Sequence, residues 1–107
     1  MDIRSTLLQQ YSKQNADKVA LYVGTSSQRF KELVNIYLAG PYRITQRAAW
    51  PLSICVGNQP GLLRAHLKRI LAHLDRSDLH VAVKRNTIRL LQFAEIPVRY
   101  QGRVIDL

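Results

Sequence analysis

Apolar residues recur along this chain with a helical period. Phe30, Leu33, Val34 and Tyr37 fall at i, i+3, i+4 and i+7, and Leu67, Ile70, Leu71 and Leu74 repeat that spacing. Such a stripe puts the apolar side chains on one face of a helix. Leu7, Leu8 and Tyr11 form a shorter stripe, and Val19, Leu21, Tyr22 and Val23 another. No run of five or more residues alternates strictly between apolar and polar, which argues against strands. Boundary residues divide the stripes. Ser26-Ser27 precede the Phe30 stripe and can cap its helix. Gly40-Pro41 closes it, because glycine tolerates the left-handed cap and proline cannot continue the helix. Gly57-Asn58-Gln59-Pro60-Gly61 is the clearest break, with Pro60 suited to the first turn of the next helix. Asp75-Arg76-Ser77-Asp78 and Pro97 mark two further ends. Six helices are predicted, roughly 2–12, 15–25, 27–39, 41–57, 60–74 and 79–95, with another start after Pro97. Pro51 falls inside the fourth, where it removes a backbone hydrogen bond and is expected to kink the helix.

The stripes also repeat. Phe30, Leu33, Val34 and Tyr37 align with Leu67, Ile70, Leu71 and Leu74 at an offset of 37 residues. The helices that follow them, Gln46 to Leu52 and Lys84 to Leu90, align at 38. Leu7, Leu8 and Tyr11 match Leu33, Val34 and Tyr37 as part of an earlier unit. A period of about 37 residues with two helices per unit is that of HEAT, armadillo or TPR-type solenoids. The small and aromatic signature positions of the TPR do not line up here. An ordinary helical bundle remains the other reading of the periodicity. One domain over residues 1–107 is expected: a partial unit at 1–26, full units at 27–59 and 60–97, and a truncated start at 98–107.

The run Tyr42-Arg43-Ile44-Thr45-Gln46-Arg47-Ala48-Ala49-Trp50-Pro51-Leu52 has the look of the second helix of a HEAT repeat, its alanine pair allowing close helix approach. Together with Val83 to Pro97 it resembles a family of small bacterial HEAT-like, armadillo-type proteins, over nearly the whole chain from Leu7 to Leu107. The resemblance implies an all-α fold, a right-handed α-α superhelix of stacked HEAT-like helical hairpins. Members of that family tend to continue for further repeats. Some carry the label adenylosuccinate lyase, but the flexible Ser- and Gly-rich loop and paired catalytic groups of the lyase are not readable in this chain. The chain also departs from the general HEAT pattern. The usual Val-Arg pair falls on Ile44-Thr45 and Ala82-Val83, and arginines stand two residues later, at Arg47 and Arg85.

Composition narrows the function. The hydrophobic fraction is 47% with only 7% aromatic, so the core is expected to be mainly aliphatic. Sixteen Lys and Arg face seven Asp and Glu, for a formal charge of +9 and a pI near 10.3. No acidic residue lies between Glu32 and Asp75. A basic balance favours anionic partners: nucleic acid, anionic lipid or an acidic protein surface. Cys55, the single cysteine, sits in the apolar run 52–56 and reads as a buried, inert thiol. The N-terminus lacks the apolar stretch of a signal peptide, and no segment approaches the ~20 apolar residues of a membrane span. A cytoplasmic protein without a membrane partner is the expectation.

Candidate chemistry is sparse. His66, His73 and His80 are seven residues apart, and seven residues of helix span ~10.5 Å, too far for one metal ion. No metal site is expected. The five glycines, at 24, 40, 57, 61 and 102, form no phosphate loop, and no other cofactor motif is present. Ser53 and Cys55 lack His and Asp partners at a recognisable motif distance.

Second helices line the concave surface of a HEAT-like stack. On that footing Arg43, Gln46, Arg47, Lys84, Arg85, Arg89 and Gln92 form a polar, mostly cationic ligand-binding strip, with Trp50 beside it as a stacking surface or a core residue. Aligned guanidinium groups bind carboxylates or phosphates bidentately. The other reading of the same arginines is structural, with stems packed and heads bonded to carbonyls or to Asp75 and Asp78. The expected function is a non-catalytic scaffold that binds a protein or peptide through the concave face. The alternative is a nucleic-acid binder similar to the HEAT-like alkylpurine DNA glycosylases. Those place a Trp and an Asp on a basic concave face, and this chain has no acidic residue near Trp50 in sequence to match. Finally, Gly102 to Leu107 reads as the opening of a further helix. A fragment of a longer repeat protein is therefore expected, or self-association through an uncapped C-terminal end.

Overall fold

The protein is described by a computed structural model that covers residues 1–74 and 81–91, with side chains from Val83 onward in the second segment. Every regular element among these residues is a helix: α1 (Ile3–Gln9), α2 (Lys13–Val23), α3 (Ser27–Ala39), α4 (Tyr42–Asn58), α5 (Gly61–Arg64), α6 (Leu67–Leu74) and α7 (Val81–Leu91).

Short polar side chains start the first three helices. Asp2 accepts from the Ser5 N–H at 3.4 Å and from the Ser5 hydroxyl at 2.7 Å, and these bonds hold its carboxyl below the usual carboxylate range. Ser12 accepts from the Asn15 N–H at 3.1 Å, and Ser26 from the Arg29 N–H at 3.2 Å. Each cap satisfies one of the N–H groups that a helix start leaves without a partner. The end of α3 is fixed from the next helix. Gly40 adopts φ 70°, which favours glycine, and the buried Thr45 hydroxyl donates to the Tyr37 carbonyl at 2.8 Å. The Gly40-Pro41 peptide is cis.

The helix expected over 60–74 is broken into α5 and α6 at Ala65-His66. Leu62, Leu63 and His66 each donate a backbone N–H to the carbonyl three residues earlier. This tighter turn is 3₁₀-like and follows Pro60, which has no N–H to give. The first helix also ends at Gln9, leaving Tyr11 in the connection to α2. By contrast, α4 runs past Pro51 to Asn58. The expected helix end at 92–95, the start after Pro97, and residues 79 and 80 lie outside the described residues.

Helix α4 is the hub, packing against α1, α2, α3, α5 and α7. Its buried set, Ile44, Thr45, Ala48, Ala49, Pro51, Leu52, Cys55 and Val56, is wider than one stripe because neighbours press on several sides. Ring contacts join α3 to the α5–α6 segment: the Phe30 and His66 rings are 5.6 Å apart, and the Tyr37 and His73 rings meet edge-on at 5.9 Å. Helix α4 packs beside α7. Tyr37 ties α3 to α7, its hydroxyl hydrogen-bonded to that of Thr87, which donates to the Val83 carbonyl at 2.8 Å. Phe30, Leu33, Val34, Leu52 and Leu90 are fully or almost fully buried in the core. Burying each such side chain contributes about 1.5–3 kcal/mol.

Candidate functional site

On α4, Gln46, Ala49, Trp50 and Ser53 stand at i, i+3, i+4 and i+7 and so share a face. On α7, Asn86 and Arg89 are three residues apart. Tyr11, from the α1–α2 connection, closes one side. Together these seven residues line a cleft of about 420 Å³. The Tyr11 and Trp50 rings are 5.6 Å apart and tilted by 55°. Tyr11 is 53% exposed, while Trp50 and Asn86 are half-buried and Gln46 and Arg89 exposed. Ser53 donates its hydroxyl to the Ala49 carbonyl at 2.9 Å, which leaves its oxygen facing outward only as an acceptor.

The cleft is cationic because of what is missing from two helices. Neither α4 nor α7 contains an Asp or Glu, so the lining holds one cation, Arg89, and no carboxylate. The amides of Gln46 and Asn86 supply both donors and acceptors.

Of the residues predicted as a strip, Gln46 and Arg89 meet in this cleft, with Trp50 in its wall. Arg47 is half-buried and directed elsewhere. Its Nη1 donates to the carbonyls of Leu7 and Leu8, both at 3.0 Å. These are last-turn carbonyls of α1, which have no partner within their own helix. Asn15 donates to two more carbonyls nearby, those of Thr6 and Gln10. The side chains of other elements thus complete the end of α1 and fix the connection that carries Tyr11. Arg43 and Arg85 are exposed and Lys84 half-buried, and none of the three lines the cleft. Gln92 lies outside the described residues.

Four lining residues did not emerge from the sequence as site residues: Tyr11, Ala49, Ser53 and Asn86. Helical spacing from Gln46 and Arg89 could have found the last two. Nothing local marks Tyr11, which the fold brings in from 35 residues before Gln46.

Elsewhere, burial governs the titratable groups. His66 is buried, and its pKa is lowered by burial first and then by the charges of Arg69 and Lys31. Arg69 Nη1 lies 3.4 Å from His66 Nδ1, and its other terminal nitrogen donates to the Asn35 side chain. Burial pushes the Cys55 thiol up to about 11. Among the described residues no three His, Cys, Asp or Glu side chains come together as a metal site. No helix among them is long and apolar enough to cross a membrane. His80 lies outside the described residues.

Comparison with protein-family models, with curated proteins and with solved structures gave no match.

Proposed function

We propose that the chain is a non-catalytic helical-repeat scaffold that binds an acidic peptide or protein segment through the α4–α7 face. The observation that carries this reading is the cleft itself: two rings, two amides and one guanidinium, with no carboxylate in the wall. A HEAT-like right-handed superhelix is the architecture we propose for it. Supporting it, ring contacts join α3 to the α5–α6 segment and α4 packs beside α7, the pairs that the offsets of 37 and 38 residues align. Such stacks present one continuous face of second helices to a partner.

The test is a titration of the full chain with acidic and basic peptides of equal length at low salt. Acidic peptides are expected to bind and basic ones not to. Arg89→Glu, which reverses the one charge in the wall, is expected to weaken binding at least about tenfold, a difference of 1.4 kcal/mol. Equal binding of both peptide classes, or none of either, would overturn the reading.

A second reading, binding of single-stranded nucleic acid, is favoured by the exposed Tyr11 ring beside Trp50, since aromatic side chains accept stacked bases. The orientation of Arg47 weighs against it. A strand of phosphates is held by a row of cations, whereas the cleft wall holds one. If the second reading holds, the logarithm of the affinity falls steeply with the logarithm of salt, and charge reversal at Arg85 and Arg89 abolishes binding.

A further inference from the structure

The cleft walls specify more than a negative partner. We infer that the cleft is a subsite for an aromatic side chain of an acidic peptide, seated against Tyr11 and Trp50 while a neighbouring carboxylate pairs with Arg89. This inference rests on the peptide-binding reading above and names the residues that reading would recognise.

Size limits the occupant first. Pockets for small ligands run from about 300 to 1,000 Å³. At about 420 Å³ the cleft takes one or two side chains rather than a helix or a nucleic-acid strand. Chemistry narrows it further. Tyr11 is 53% exposed and lies in a tilted ring pair, so a third ring can add edge-to-face or offset contacts and cover apolar area now open to water. The α1–α2 connection is held by Arg47 and Asn15, so Tyr11 is positioned before any ligand arrives. A preorganised ring loses less entropy on binding than one that must be ordered. Ala49, which carries only a methyl group, lines the cleft alongside Gln46 and Ser53. The two amides can meet the backbone N–H and C=O of an extended segment, which would otherwise be buried without partners. Arg89 has no carboxylate competitor on either helix, and its planar fork matches a carboxylate in two-point geometry.

The experiment uses the full chain and three short peptides. One is acidic with a central Phe, one is the same with Ala in place of Phe, and one keeps Phe with each Glu replaced by Gln. Trp50, the single tryptophan, is the reporter. The acidic Phe peptide is expected to bind at least about tenfold tighter than either control and to change Trp50 emission. Tyr11→Ala should erase the preference for Phe over Ala, and Arg89→Gln the preference for Glu over Gln. Both residues are exposed, and circular dichroism confirms that each variant is folded. Equal binding of the acidic Phe and Ala peptides overturns the subsite and leaves the peptide-binding reading standing. No binding of any acidic peptide overturns both. Oligothymidylate that binds tighter than the acidic Phe peptide, with the same Trp50 response and the same loss in Tyr11→Ala, overturns the peptide as occupant.

Discussion

Arg47 Nη1 donates to the Leu7 and Leu8 carbonyls at 3.0 Å each, joining the middle of α4 to the last turn of α1. A hydrogen bond from a charged group contributes about 1.5–3 kcal/mol, and a carbonyl left without a partner adds a cost where it is buried. Arg47→Ala is therefore expected to destabilise the fold by about 1–3 kcal/mol. Arg47→Lys should recover part of the loss, since an ammonium keeps the charge but not the guanidinium's fixed geometry. Urea denaturation measures both. Because the same bonds hold the connection bearing Tyr11, Trp50 emission in folded Arg47→Ala should also differ from the parent. An unchanged spectrum would show that Tyr11 is held by other contacts.

Tyr37 and Thr87 share a buried hydrogen bond between α3 and α7. Burial raises the Tyr37 pKa, so the phenol stays protonated at neutral pH and can donate. Tyr37→Phe should cost about 0.5–1.5 kcal/mol, the usual net worth of one such bond. Thr87→Val leaves the buried Tyr37 hydroxyl with only its long 3.5 Å contact to the Val83 carbonyl, so it should cost more. A double-mutant cycle is expected to give a coupling of at least about 0.5 kcal/mol. Strict additivity would mean that the two hydroxyls do not interact in solution.

His66 makes stability depend on pH in a defined direction. Its folded pKa lies below the unfolded value, chiefly through burial and then through Arg69 and Lys31. Between those two values the unfolded chain binds more protons, so stability rises with pH across that window. The His66 contribution is fully present above the unfolded pKa of about 6.5 and is lost as pH falls toward the folded value. Denaturant midpoints at pH 7.5 and pH 5 should drop less on acidification in His66→Gln than in the parent. An identical drop in both proteins would assign the pH dependence to other groups.

Cys55 should be inert while the chain is folded. It is 3% exposed, and burial lifts its thiol to about 11, so the reactive thiolate is scarce at neutral pH. Alkylation by iodoacetamide at pH 7.5 is expected to be slow in buffer and fast in denaturant. Rapid labelling of the folded chain would reveal an opening of the α4 region.

Much of the local structure was legible before any coordinates. Ser26, Gly40 and Pro60 mark ends because capping and proline geometry depend on near neighbours alone. The stripe from Phe30 to Tyr37 predicts the buried face of α3 for the same reason. The break at Ala65-His66 was hidden, since the Leu63 to Leu74 spacing is compatible with a single helix. The cleft was half visible. Gln46, Trp50 and Arg89 stand out by type and spacing, while Tyr11 reads in the sequence as part of the apolar stripe of the first helix.

The sequence by itself determined that the chain is helical, where most of its helices start and stop, and that α4 and α7 carry cations without carboxylates. Those properties follow from helical period, from caps a few residues away and from composition. Only the tertiary structure decided which cation faces the cleft and which faces a helix end. Arg47 and Arg89 are alike in sequence, each an arginine on a helix without carboxylates. They differ because α1 ends beside Arg47, presenting carbonyls that need donors, while the α4–α7 cleft lies open beside Arg89.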